Sequence, residues 1–305
     1  MKKRFNLGQA ISFSFQSLRR YPLLIMVPVG IQTIVSLMTS AGIDLFSKLF
    51  QIKSSLELTN PGFILLMSFG LLVLIAVHFL VLTITQISLI RVGFKIYQKE
   101  EGPAWKDVFH LDWSLIGKCL LCFLLISLFV ILSLLACFIP GLILYLVLPK
   151  YMFAFKFLLI IVCMISFIVL LFFIMINYLF ITSIAVDTRD SVNEILQKSK
   201  ILTKGIKWSI FGYLFLMFIL PYPITRSIMS LRKLGYVWQY YSLYGVFAFL
   251  WTSLVAMIPV YLYKDMMRQQ IQLETDDISR TIGEELAQEL EEEQAEELVE
   301  ESPEL

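Results

Sequence analysis

Residues 157–186 read FLLIIVCMISFIVLLFFIMINYLFITSIAV, and these 30 positions carry no acidic or basic side chain. A helix needs about 20 apolar residues to cross the hydrocarbon core of a bilayer. This one stretch therefore argues against a soluble fold. Working outward, five more apolar runs follow the same pattern, at 22–40, 62–90, 117–139, 206–222 and 240–262. Hydrophobic residues make up 58% of the 305, and mean hydropathy is +0.78. Helices satisfy their own backbone polar groups, which a lipid environment demands. The sequence predicts an all-α integral membrane protein. A six-span membrane domain occupies 1–265, and a tail over 266–305 is expected to be partly helical or disordered.

The charges between the runs alternate. The N-terminal segment and every second loop hold 18 of the 25 Lys and Arg residues, against 7 in the other segments. Basic residues collect in short cytoplasmic loops. Both termini are thus expected in the cytoplasm, which requires an even number of spans. A cleaved signal peptide is the competing reading of the first run, with Thr39, Ser40 and Ala41 as a weak cleavage site. The 21 residues ahead of that run and its length favour an uncleaved span. The net charge of +1 hides a split: residues 1–273 sum to +14 and residues 274–305 to −13. The tail is a polyanion.

Three segments on the basic side look amphipathic. In the first, Leu7, Ile11, Phe15 and Leu18 recur at helical spacing ahead of Arg19 and Arg20. In the second, Trp105, Val108, Phe109 and Trp113 are interspersed with Lys106, Asp107 and Asp112. The third is the clearest. Ser191 and Glu194 form a capping box. Val192, Ile195, Leu196, Ser199 and Leu202 make the inner face, and Gly205 occupies the C-cap region. Lys198, Lys200, Lys204 and Lys207 are placed to reach lipid phosphates. Each segment precedes an outgoing span, so the chain reads as three units of amphipathic helix, span out and span back. Such helices are expected to lie in the membrane interface. Pro140-Gly141 is expected to stop the third span, leaving 142–149 as a short interfacial or re-entrant piece; the alternative is one long tilted helix. Tyr222, Tyr236, Trp238, Tyr240, Tyr241 and Tyr244 suit an aromatic belt on the opposite side.

Few residues suggest chemistry. Cys119, Cys122, Cys137 and Cys163 lie in predicted spans, where hydrocarbon disfavours a thiolate, so they read as packing residues. His78 is the ionisable group predicted within a span, and Gln32, Gln86 and Asn177 are polar enough to bond between helices. None of the six runs contains Asp or Glu, which weighs against ion-coupled transport. Metalloprotease, serine-hydrolase, P-loop and dinucleotide-binding motifs are absent from the sequence. No catalytic residue, metal site or cofactor is expected, and nucleic-acid binding is not indicated.

Asp187, Glu194-Ile195-Leu196, Ser199, Leu202-Thr203-Lys204-Gly205, Trp208 and Phe211 form a pattern. Together with Phe5-Asn6-Leu7-Gly8-Gln9-Ala10, Arg19-Arg20-Tyr21-Pro22 and Lys106-Asp107-Val108-Phe109, it resembles the uncharacterised six-span bacterial membrane proteins of the YciC-like and DUF975-like group. That group is similar to the membrane domain ahead of some glycerophosphodiester phosphodiesterases. The resemblance covers most of 5–265 and implies a six-span fold in a bacterial inner membrane; phosphodiesterase activity is not among what it implies. The expected function is non-enzymatic, a membrane-organising or accessory protein that contacts anionic lipid. Its tail, through Glu291, Glu292, Glu293, Glu296 and Glu297, would recruit a basic protein partner. The alternative is a transporter or permease for an apolar or amphipathic solute, with His78, Gln86 and Asn177 lining the path.

Overall fold

The computed structural model describes residues 6–54, 61–98, 102–148, 153–188 and 190–300. Those residues form α1 (Leu7–Arg20), α2 (Pro22–Ser54), α3 (Pro61–Gln98), α4 (Trp105–Phe109), α5 (Trp113–Val147), α6 (Phe153–Asn177), α7 (Ile181–Asp187), α8 (Val192–Thr203), α9 (Lys207–Ile219), α10 (Tyr222–Lys233), α11 (Val237–Val255) and α12 (Ile258–Glu300). Six stretches are long and apolar enough to cross a membrane: Pro22–Lys48, Ser68–Gln98, Trp113–Val147, Phe155–Asp187, Lys207–Leu231 and Val237–Ile282. The protein is an all-α, six-span membrane protein.

The spans close a ring. α2 packs on α3, α3 on α5, α5 on α6, α6 on α9, α10 on α11, and α11 back on α2. The amphipathic helices α1, α4 and α8 gather at one end of this ring, here termed the basic end. Each rests on the return span of another unit. α4 sits on α3 and α8 on α6 and α7, while α1 sits on α11 and α12, the return span of the third unit. The three units therefore interlock in a cycle.

One serine-to-carbonyl bond accompanies each of these contacts. Ser199 on α8 donates to the Asn177 carbonyl at 2.8 Å. Ser14 on α1 donates to the Leu254 carbonyl. Ser88 on α3 donates to the Val108 carbonyl of α4 at 2.7 Å. Two of the three accepting carbonyls stand where a span is interrupted. The α6–α7 span breaks at 178–180, and the α11–α12 span breaks at 256–257, just before Pro259. A break frees carbonyls from the i→i−4 ladder, and such groups need another donor when buried. Serine is small enough to let the backbones approach while supplying that donor.

Burial is concentrated at the basic end. Ala10, Phe94, Ile116, Phe180, Ile195, Ile210 and Tyr263 join one core drawn from α1, α3, α5, α8, α9, α12 and the α6–α7 junction. A second cluster links Ile25, Val29, Leu89, Val92, Val108 and Met257. Water is available to drive hydrophobic burial at a membrane edge, whereas lipid tails are as apolar as the side chains they touch. Cys119 and Cys122 lie fully inside the first core.

Two sequence expectations need correction. α5 does not stop at Pro140-Gly141; it runs through both residues to Val147. The piece expected at 142–149 is, as far as Val147, helix. A proline inside a membrane helix is tolerated because neighbouring groups re-satisfy the backbone. Gly141 serves close approach and not a turn, because a Cβ there would meet Cys163 Sγ at 2.5 Å. The first span extends to Lys48 and so includes Asp44, whose carboxylate accepts from the Tyr241 hydroxyl of α11. In the tail, the backbone of α12 is helix as far as Glu300, although its like-charge i,i+4 pairs disfavour that conformation.

Candidate functional site

α8 forms as its sequence directs. The Ser191 N–H donates to Glu194 Oε2 at 2.8 Å and the Ser191 hydroxyl to the same oxygen at 3.0 Å. Those two bonds, the N–H first, hold the Glu194 carboxyl below its ordinary range. Gly205 ends the helix at φ +91, a conformation that favours glycine. Ile195, Ser199, Leu202 and Thr203 are buried, and Val192 and Leu196 half-buried, so the predicted inner face is the packed one.

The four lysines take different roles. Lys198 pairs with Asp190 at 2.5 Å. Its ammonium, followed by the Thr188 hydroxyl, holds the Asp190 carboxyl below the usual carboxylate range. Lys200 lies 5.6 Å from the centre of the Tyr178 ring, and Lys207 4.4 Å from that of Phe173. Lys204 is exposed. Trp208, next to Lys207, is 85% exposed and meets Phe211 edge-on at 5.9 Å. An ammonium seated over an aromatic face suits a lysine at the edge of an apolar layer.

The other two amphipathic segments carry related surfaces. On α1 the packed face is the small one, Ala10, Ser14 and Ser17, while Ile11 and Phe15 point away from the body. On α4, Val108 is buried, and Trp105, stacked on Phe109 at 5.9 Å, stays exposed. Leu111 and Trp113 extend that exposed ridge. α4 is held by the Lys95–Asp107 ion pair at 3.0 Å and by Arg91 donating to the His110 carbonyl at 2.6 Å. Burial opposes ionisation of Asp107. The Ala104 N–H and the Lys95 ammonium outweigh it and hold the carboxyl below its ordinary value.

The positions singled out within spans do not converge. His78 Nδ1 lies 3.3 Å from Thr39 Oγ1 on α2, and that hydroxyl donates to the Val35 carbonyl at 2.8 Å. With the Thr39 proton committed, the bond requires His78 Nδ1 to be the donor. Asn177 is buried, and its carbonyl belongs to the α8 contact. Gln86 is half-buried, about 12 Å along α3 from His78. In the tail, the side chains of Glu291, Glu292, Glu293, Glu296 and Glu297 lie outside the described residues.

Sequence reasoning missed the polar ties between units. The Tyr263 hydroxyl donates to Asp187 at 2.9 Å, and Lys264 pairs with Asp187 at 2.5 Å while lying 4.1 Å from the Phe94 ring centre. Asp187 was visible as part of a pattern, but its partners come from 76 and 77 positions away. Arg91 and Lys118 stood in the sequence as loop charges; both are fixed on carbonyls of other segments, those of His110 and Asp190. No family model, curated protein or solved structure matches the chain. Its class rests on its own helices: six spans closed in a ring, with three amphipathic helices at one end.

Proposed function

We propose that this chain is a non-enzymatic organising or accessory protein of a bacterial inner membrane, with both termini cytoplasmic, that engages anionic lipid at its basic end. The observation that carries this reading is the set of Lys200, Lys204, Lys207 and Trp208 beside the α6–α7 break. Two of the ammonium groups lie over aromatic rings and the indole faces outward, an arrangement suited to headgroup depth. Lys198 contributes less, because Asp190 already neutralises it. The compartment and orientation follow from the bias of basic residues and from the resemblance to the six-span bacterial group.

The test compares full-length protein with the K200Q/K204Q/K207Q variant in vesicles mixing phosphatidylglycerol and phosphatidylcholine. Phosphatidylglycerol around the protein is expected to fall, by roughly fivefold at most for each lysine removed. An unchanged lipid shell sinks the reading. The polyanionic tail extends it: the tail is a docking arm for a basic protein. A chain ending at Leu273 is expected to lose a co-purifying basic protein that the full-length chain retains; an identical set of partners overturns that part.

A further inference from the structure

We propose that the cleft around Arg91 at the basic end binds the phosphate of an anionic phospholipid. Two cavities of about 440 Å³ each flank this residue, and both share Arg91 and Val186. One is walled by Lys95, Lys106, Asp107 and His110, the other by Asp112, Ser114, Lys118 and Thr188.

The charge balance favours an anion. Arg91, Lys95, Lys106 and Lys118 line the two cavities against two carboxylates, Asp107 and Asp112. Both carboxylates are already engaged. Asp107 accepts from Lys95 at 3.0 Å and from the Ala104 N–H at 2.8 Å. Asp112 caps α5 by accepting from the Leu115 N–H at 3.1 Å. The next carboxylates outward are also spoken for, Asp190 by Lys198 and Asp187 by Lys264. Arg91 is anchored on the His110 carbonyl at 2.6 Å, which orients the guanidinium without neutralising it. A guanidinium offers five N–H donors in a fork that matches phosphate oxygens. The Ser114 hydroxyl and the exposed Lys106 ammonium supply further donors along the same walls.

The setting selects a lipid over a soluble phosphate. Trp105, Phe109, Leu111 and Trp113 are 46–66% exposed on the segment that forms the outer wall. Such a ridge belongs at the boundary of headgroup and hydrocarbon. A phosphate held at Arg91 would have its acyl chains directed along it. This inference rests on the anionic-lipid reading but moves the contact from the α8 surface to a built cleft.

Native mass spectrometry of the full-length protein in mild detergent tests it. Phosphatidylglycerol, phosphatidylcholine and soluble glycerol 3-phosphate are titrated against wild type, R91Q, R91K, K106Q and the α8 triple variant. R91Q is expected to weaken phosphatidylglycerol binding about tenfold and leave phosphatidylcholine unchanged. K106Q moves it less in the same direction, and R91K recovers part of the loss. Equal phosphatidylglycerol affinity in R91Q, K106Q and wild type overturns the proposal. If R91Q does not elute as a folded species, K106Q decides, because Lys106 is exposed and outside the packed core. Competition by glycerol 3-phosphate overturns the choice of a lipid. Loss confined to the α8 variant removes the cleft and keeps the surface reading; loss confined to the Arg91 variants does the reverse.

Discussion

The two halves of α5 are both strongly apolar, yet only one of them is packed. Near the basic end Ile116, Cys119 and Cys122 are buried, whereas toward the other end Leu128, Ile131, Leu146 and Val147 are 52–78% exposed. The same division runs through α6, where Ile174 and Ile176 are buried and Phe157, Leu158 and Val169 are exposed. Hydrophobicity alone does not decide burial in this chain. What decides it is whether another segment is available to pack, and α1, α4, α7 and α8 supply such segments at one end only. The basic end is built like the core of a soluble domain, with breaks, caps and ion pairs. The far halves are built as helices in a solvent of their own polarity.

The largest difference is expected from truncating a core aromatic. Phe180→Ala removes a fully buried ring beside Tyr263 and is expected to cost about 3–5 kcal/mol. Leu132→Ala, on the exposed half of α5, is expected to stay within about 0.5 kcal/mol. Thermal melts in one detergent compare them, and equal shifts would remove the distinction between the halves.

Crowding sharpens the same contrast. A Cβ on Gly93 would lie 2.7 Å from Val260 Cγ1 and 3.0 Å from Met257 Sδ, two neighbours fixed in the core. Gly93→Ala is expected to cost about 1–3 kcal/mol. Gly245→Ala meets chiefly the end of the Leu37 side chain, at 2.8 Å, which can rotate away. It is expected to cost less, and the reverse order in the melts would contradict the assignment.

Ser199→Ala leaves the Asn177 carbonyl without its hydroxyl donor at the α6–α7 break. The expected cost is about 1–3 kcal/mol, with faster hydrogen exchange in α8. Ser133→Ala, whose hydroxyl bonds the Phe129 carbonyl within the exposed part of α5, is expected to change little. Matching exchange rates in the two variants would show that the serine contact does not hold α8.

The smallest effect is one of pH. The Asp107 carboxyl sits below its unfolded value of about 3.9. Its contribution is therefore complete above that value and is lost as pH falls through the lower folded value. Hydrogen exchange in α4 is expected to accelerate in that acidic window in wild type and to be flat there in Asp107→Asn. An identical acid response in both would assign α4 docking to Ser88 and Arg91 alone.

Much of the architecture was legible because it rests on local signals. Span number follows from apolar run length, and the start and end of α8 follow from Ser191, Glu194 and Gly205. Those signals act over three to five residues or are simple sums over a window. Pro140 misled for the same reason: a helix breaker in water is not one where neighbouring groups restore the backbone. The partners of Asp187, Arg91 and His78 were not legible, because each lies on another segment and spacing along the chain carries no record of it.

Run length, periodicity and charge along the chain are enough for the class of the protein, the number of spans, the three amphipathic segments and the acidic tail. Each of these is fixed by what a residue does in water or lipid without reference to a distant partner. Packing between distant segments closes the spans in a ring and seats each amphipathic helix on the return span of another unit. It also makes the cations around Arg91 outnumber the carboxylates beside them. These arrangements depend on which surfaces fit and which polar groups remain unsatisfied once the helices have formed, and both are settled by packing.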